Sequence, residues 1–275
     1  MSDVILKEFV IPFKGISKKT IYHFSDSHLT EYDDLSDANE VAHAKKMTES
    51  WEGVRKGFCE AYGCPYGELE KQCAVAHLSN LLERASDGDA LVIAGDTMDY
   101  INGANLRLTE KLFGEFNKPF VQVCGNHEPL SDIPDGYIVS RMKNEIQTVD
   151  MGDMVIVGLD NSQRKISVTQ IDAIKSFIND GKPILLVMHV PIMNDENREL
   201  LLKSGVYFQL NFDGCPKENL DFIELIKQNG KSFVAILAGH LHYSNVSKIS
   251  EDVTQYVTSQ GVTGNIHKYV IGEQK

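Results

Sequence analysis

Apolar positions along the chain fall into short runs, separated by longer stretches in which they recur every three or four residues. The runs Thr20–Phe24, Ala90–Ala94, Phe120–Val123, Met154–Val157, Ile184–Met188 and Phe233–Leu237 are too short for helices and read as buried strands. Helical periodicity covers Gly67–Ala85, Leu106–Phe116, Val168–Asn179 and Lys217–Gln228, and a strand-rich tail follows at Ser244–Ile249, Gln255–Ser259 and Ile266–Ile271. This alternation predicts an α/β protein built from layers of helix and sheet.

Asp26 and Asp96 lie 70 residues apart, more than one strand-helix-strand crossover requires. The excess holds an acidic stretch, Glu31–Glu40, and then Met47, Trp51, Val54, Phe58 and Ala61, spaced as one face of an amphipathic helix. That face predicts a helix packed on the main core or, more sharply, a cap over a binding cleft. With no repeat, low-complexity segment or Gly/Ser linker, the expectation is a single domain over 1–275 with a helical insertion at about 31–64.

Composition narrows the function classes. Asp plus Glu number 39 against 27 Lys plus Arg, a net charge of −12, and such a field repels a polyanion. Extended nucleic acid is therefore not an expected partner. The first ten residues lack a basic segment ahead of an apolar one, and the longest apolar stretch, Ile184–Met193, contains His189 and is too short to cross a bilayer. A cytoplasmic protein without membrane contact is expected; the oligomeric state is left open. Cys59, Cys64, Cys73, Cys124 and Cys215 cannot all pair and include no CxxC knuckle, so reduced thiols are expected.

Candidate chemistry collects at the carboxyl ends of the predicted strands, where α/β sheets bind ligands. The segments are Asp26-Ser27-His28, Gly95-Asp96-Thr97-Met98-Asp99, Gly125-Asn126-His127-Glu128, Met188-His189 and Gly239-His240-Leu241-His242. Singly, a strand-end histidine is more often a hydrogen-bonded core residue than a ligand. Five such segments in this order instead point to a dinuclear metal site, because so many groups averse to desolvation would not converge without a cation to offset the cost. Imidazole, carboxylate and amide donors without thiolate suit Mn, Fe, Zn or Co. Two divalent ions with two carboxylate ligands leave a site charge of about +2, which a phosphate group fits.

In these segments the sequence resembles the calcineurin-like metallophosphoesterase superfamily, whose pattern is DxH, GDxxD, GNH[DE], a strand-end His, and GHxH. The resemblance spans Asp26 to His242 and implies a four-layer α/β/β/α sandwich of two mixed β-sheets flanked by helices. It implies one divalent ion on Asp26, His28, Asp96 and His242 and a second on Asp96, Asn126, His189 and His240, with Asp96 bridging. Two such ions can activate a bridging water and clamp the oxygens of an in-line displacement, so the implied activity is hydrolysis of a phosphate ester by a metal-bound hydroxide, phosphodiesters ahead of monoesters. His127 is implied to face the substrate, stabilising phosphoryl oxygens or protonating the leaving group. Asp99 is then a partner that orients His127 and raises its pKa, or else simply a carboxylate at a helix N-terminus.

Departures refine the resemblance. Tyr100-Ile101 stands where protein Ser/Thr phosphatases carry Arg-Gly, and Asp99 stands where purple acid phosphatases carry a metal-binding Tyr. His23, His43, His77 and His267 match no motif and are expected to be structural or superficial. Specificity is expected from the loops Leu29–Glu40, Tyr100–Asn105, Pro129–Gly136 and Ile192–Gly214; in the last, Tyr207, Phe208 and Phe212 either stack an aromatic substrate group or anchor the loop. The expected partner is a small phosphorylated substrate. The rival from another class is a non-catalytic metal-binding scaffold on the same fold.

Overall fold

The computed structural model describes residues 4–63, 73–203 and 209–273. Its strands, in chain order, are β1 (Ile5–Ile11), β2 (Lys19–Phe24), β3 (Ala90–Ile93), β4 (Phe120–Gln122), β5 (Ile146–Asp150), β6 (Val155–Leu159), β7 (Ile184–Val187), β8 (Phe233–Ala238), β9 (Asn245–Lys248), β10 (Thr254–Val257) and β11 (Asn265–Ile271). The helices are α1 (Ala38–Tyr62), α2 (Ala74–Ala85), α3 (Gly103–Gly114), α4 (Val168–Asp180), α5 (Arg198–Lys203) and α6 (Lys217–Gln228). All nine predicted strands and the predicted helices form with shifts at their ends; the start of the first predicted helix, 67–72, lies outside the described residues.

Two mixed sheets result. One has the order β1-β11-β2-β3-β4, with β11 antiparallel to β2, and the other β5-β6-β7-β8-β10-β9, with β5 and β9 antiparallel to their neighbours. The central strands β3, β7 and β8 are buried along their whole length, as continuous apolar runs require when both faces of a sheet are covered. Three apolar clusters fill the spaces between layers. Ile21, Val92, Val121, Ile156, Leu185 and Leu237 interlock the two sheets. Phe24, Leu91 and Ile93 pack against Leu78 and Leu81 of α2 and Phe113 of α3. On the far side, Val157, Leu186 and Ile236 pack against Ile174 of α4 and Phe222 and Ile226 of α6. The layer order is helix, sheet, sheet, helix, as the resemblance implied.

Helix α1 begins in a reciprocal cap: the Asp37 carboxylate accepts from the Asn39 and Glu40 amides, and the Glu40 carboxylate accepts from the Asp37 amide at 2.9 Å. Its buried side is Ala44, Trp51, Arg55 and Cys59. This differs from the predicted apolar stripe, because Val54 and Ala61 are exposed and Arg55 is drawn inside. The thiol expectation is also corrected: Cys59 is disulfide-bonded, while Cys73, Cys124 and Cys215 are free. Cys64 lies outside the described residues. Among the described residues no helix is long and apolar enough to cross a membrane.

Candidate metal centre

Five strands, β2, β3 and β4 of one sheet and β7 and β8 of the other, end at the same side of the sandwich, and the five predicted segments follow them directly. The first two are joined by backbone hydrogen bonds that continue the parallel pairing of β2 and β3 beyond the strands. Asp26 N–H donates to the Gly95 carbonyl at 2.9 Å, His28 N–H to Asp96 at 3.1 Å and Leu29 N–H to Thr97 at 3.0 Å. The two loops are therefore one rigid unit.

Their backbone is strained where the donors sit. Six non-glycine residues among those described have positive φ, and five are predicted ligands: Asp26 (55°), His28 (44°), Asp96 (51°), His240 (72°) and His242 (58°). Left-handed conformation at such residues costs on the order of 1–3 kcal/mol each and persists only where the surroundings enforce it. Gly125 shows how closely the loops approach, since a Cβ there would fall 1.9 Å from Asp96 Oδ1.

The side chains form three clusters whose donor atoms lie within 4.8 Å of one another: Asp26 with His28 and His242, Asp96 with His189 and His240, and His28 with Asp99 and His127. The first two correspond to the two predicted ion sites. Asp26 Oδ1 stands 3.3 Å from His242 Nε2, and His28 Nε2 stands 3.2 Å from His242 Nε2. Asp96 Oδ2 is 3.3 Å from His189 Nε2, which also has Asn126 Oδ1 and His240 Nδ1 at 3.1 Å each. All seven predicted ligands are thus gathered in one place.

This donor set fits divalent cations. Asp26 Oδ2 accepts from the Ser25 hydroxyl and from the His240 amide, whereas its Oδ1 is buried and accepts no hydrogen bond. A carboxylate oxygen left in this way inside a protein needs a cation. The Nδ1–H of His189 donates to the Ala94 carbonyl at 2.7 Å and Nδ1 of His28 faces Asp99 Oδ1 at 3.1 Å, so each ring turns its Nε2 lone pair toward the cluster. Burial and the neighbouring His189 push His240 down to about 3, so its imidazole is neutral.

Comparison with known proteins agrees with this geometry. The model of the calcineurin-like phosphoesterases matches residues 19–244. The chain belongs to this family. Among solved structures, a dimetal phosphatase from Danio rerio shares the fold, with a TM-score of 0.55 and 11% identity over 89% of this chain and 88% of that one. A phosphopantetheinyl hydrolase from Mycobacterium tuberculosis has a TM-score of 0.42 and 13% identity over 89% and 90% of the two chains. No curated protein matches the chain. The protein is a metal-dependent phosphoester hydrolase of a family whose centre is a pair of divalent ions.

Beside the phosphoesterase's two ligand clusters, His127 keeps its ring partly exposed and turns Nδ1 to Asp99, 3.2 Å from Oδ1 and 3.0 Å from the backbone carbonyl. That hydrogen bond outweighs burial and raises the imidazole to about 9, so it is protonated at neutral pH. Asp99 stays ionised well below the usual carboxylate range: burial opposes its charge, but hydrogen bonds to His127 and His28 prevail. It stands ahead of α3, whose N-terminus Asn102 caps, so the helix-terminal role is not the one it fills.

Two contributors had not been singled out. Glu128, fully buried, accepts from the backbone amides of Asp96 (3.1 Å), Met98 (3.0 Å) and Gly125 (3.0 Å), and so binds the second and third segments together. Trp51 of α1 stacks on His28 with ring centres 4.1 Å apart and planes 22° apart. The fourth residue of the Gly-Asn-His-Glu segment could have signalled the first, and the helix face that suggested a cap over a cleft carried the second, though not its stacking on His28. The four unassigned histidines stand outside the clusters: His23, His77 and His267 are buried, and His43 lies edge-on to Tyr100. Phe212 packs under the Arg164 guanidinium at 3.7 Å, an anchor for its loop, while Tyr207 and Phe208 lie outside the described residues.

Proposed function

We propose that the chain hydrolyses small phosphodiesters ahead of monoesters. One divalent ion is held by Asp26, His28, Asp96 and His242, and the second by Asp96, Asn126, His189 and His240. The observation that carries the ligand assignment is the convergence of these seven side chains around donor atoms the fold leaves facing one another, Asp26 Oδ1 above all. Manganese, iron and zinc all suit the donors. When bound, the ions supply charge neutralisation and an activated water for in-line attack.

The remaining steps belong to the chain. Asp99 fixes the imidazole of His127 and keeps it protonated, so its Nε2–H is available to the leaving oxygen or a phosphoryl oxygen. Trp51 covers His28 and keeps water from that face of the ligand. We assign α1 and the residues around it, about 31–64, to a helical insertion within one domain that borders the centre. The preference for diesters rests on charge. The cleft of about 380 Å³ that contains Asp96, Asn126 and His127 is lined by no Lys or Arg among the described residues. Beyond the two ions and the His127 imidazolium the cleft therefore offers no further cation to clamp the additional charge of a monoester dianion, which a diester monoanion does not carry.

Activity on bis-p-nitrophenyl phosphate, p-nitrophenyl phosphate and a nucleotide panel in Mn²⁺ tests this reading. A higher kcat/KM on the diester is expected. Faster turnover of the monoester contradicts the ordering, and no turnover of any ester with either Mn²⁺, Fe²⁺ or Zn²⁺ contradicts the function.

A further inference from the structure

The cleft that holds Asp96 and His127 shares His242 and Tyr243 with a second cavity of about 530 Å³. One wall of the second cavity is α1, through Val54, Phe58 and Tyr62; the opposite wall includes Gln260 and Asn265. The α1 residues follow Trp51 at spacings of three, seven and eleven, which places all four on one side of the helix. At a rise of 1.5 Å per residue, Phe58 lies about 10 Å along the axis from the indole that covers His28. One helix face thus runs from the metal centre to an aromatic surface at the distance of an ester's organic part.

The opposite wall is fixed to the same centre. Gly261 N–H donates to the Ser25 carbonyl at 2.7 Å, Val262 N–H to the Asp26 carbonyl at 3.0 Å, and the Ser259 hydroxyl to the His242 carbonyl at 3.2 Å. This wall also carries an acceptor that the chain does not satisfy. The Thr263 hydroxyl donates to the Gln260 carbonyl at 2.9 Å, so its oxygen must accept from Asn265 Nδ2 at 2.7 Å, and this orients the Asn265 amide. Gln260 Oε1 is left buried without a donor, on a residue only 5% exposed. The terminal torsion of a glutamine is soft, so a small rotation presents its oxygen to the cavity.

We propose that this second cavity takes the organic part of the phosphate ester, a planar aromatic ring with an amino group, stacked along Phe58 and donating to Gln260. The proposal rests on the hydrolase reading for the position of the phosphate alone. An aliphatic group would leave the Gln260 acceptor unsatisfied, and a polar acyclic group would leave the aromatic surface uncovered.

Adenosine provides a probe without phosphate, purine riboside the same ring without the amino group, and ribose neither. Binding to the metal-free full chain is read by calorimetry and by fluorescence of Trp51, the one tryptophan. Adenosine is expected to bind about fivefold more tightly than purine riboside, the worth of a neutral hydrogen bond, and ribose not measurably. Phe58→Ser should weaken adenosine about tenfold, the worth of one stacked base. Gln260→Leu should remove the advantage of the amino group. Tyr62→Ala, at a side chain 77% exposed, carries little folding risk and should also weaken binding; unchanged circular dichroism confirms that each variant folds. Adenosine binding no tighter than ribose, or equally tight in all three variants, overturns the proposal. If adenosine fails to bind while p-nitrophenyl esters are hydrolysed, the cavity assignment falls and the hydrolase reading stands; the reverse result separates them the other way.

Discussion

At the scale of single residues, His127 offers the sharpest test of chemistry. A general acid matters most for a poor leaving group and little for p-nitrophenolate, which departs unprotonated. His127→Ala should therefore slow alkyl esters by about 100-fold and p-nitrophenyl esters far less, with metal content retained and Asp99→Asn acting in the same direction more weakly. Steady-state kinetics on the two ester types decides this, and equal losses would assign the imidazole to the phosphoryl oxygens instead. Glu128 is tested through stability. Its carboxylate serves three buried amides, so Glu128→Ala should lower the free energy of unfolding by about 3 kcal/mol and weaken metal binding, as urea titration and equilibrium dialysis would show. Glu128→Gln should cost less, because one amide oxygen can still accept from Asp96 and Gly125. That seven metal-type donors, His127 and Asp99 gather at one place was legible in the sequence because each lies in a short local motif. Glu128 lies in the same motif as His127, but what it does was not legible, because its partners Asp96 and Met98 lie 32 and 30 residues away and its contacts are to their backbone.

At the scale of elements, apolar runs revealed the central strands, and edges escaped. β1 alternates Ile5 and Leu6 with Lys7 and Glu8 and draws its pairing from β11, at the far end of the chain. β5 is mostly polar and only half buried. Helix α1 was visible as a helix, but the face it buries was misplaced by about one position, since Arg55 is drawn inside and periodicity counts it as polar. The β2–β11 pair makes a separate prediction. It opposes His23 and His267, both buried, and burial together with Lys7 pushes His267 down to about 3. Below its ordinary value of 6.5 the unfolded chain takes up a proton that the folded chain refuses, so stability falls as pH drops beneath that value. For this residue the slope is about 1.4 kcal/mol per pH unit. His267→Gln should remove that slope from pH-dependent urea midpoints between pH 6.5 and about 5; an identical slope in the variant would show that His267 is protonated in the fold.

At the scale of the molecule, an acidic chain concentrates seven metal-type donors at one end of two sheets, and backbone strain at five of them is sustained by the layers beneath. Strand order was not legible, because β11 enters between β1 and β2 only through contacts separated by most of the chain. That the five motifs face one another was legible, since each follows a strand whose carboxyl end an α/β sheet turns to its ligand. The most direct measurement is metal stoichiometry, by elemental analysis after Mn²⁺ or Zn²⁺ loading and dialysis, on the wild-type chain and on Asp96→Asn. The account predicts two ions per wild-type chain and weakened retention of both in the variant, because the bridging carboxylate would neutralise charge for each. One ion or none in the wild-type chain would contradict it.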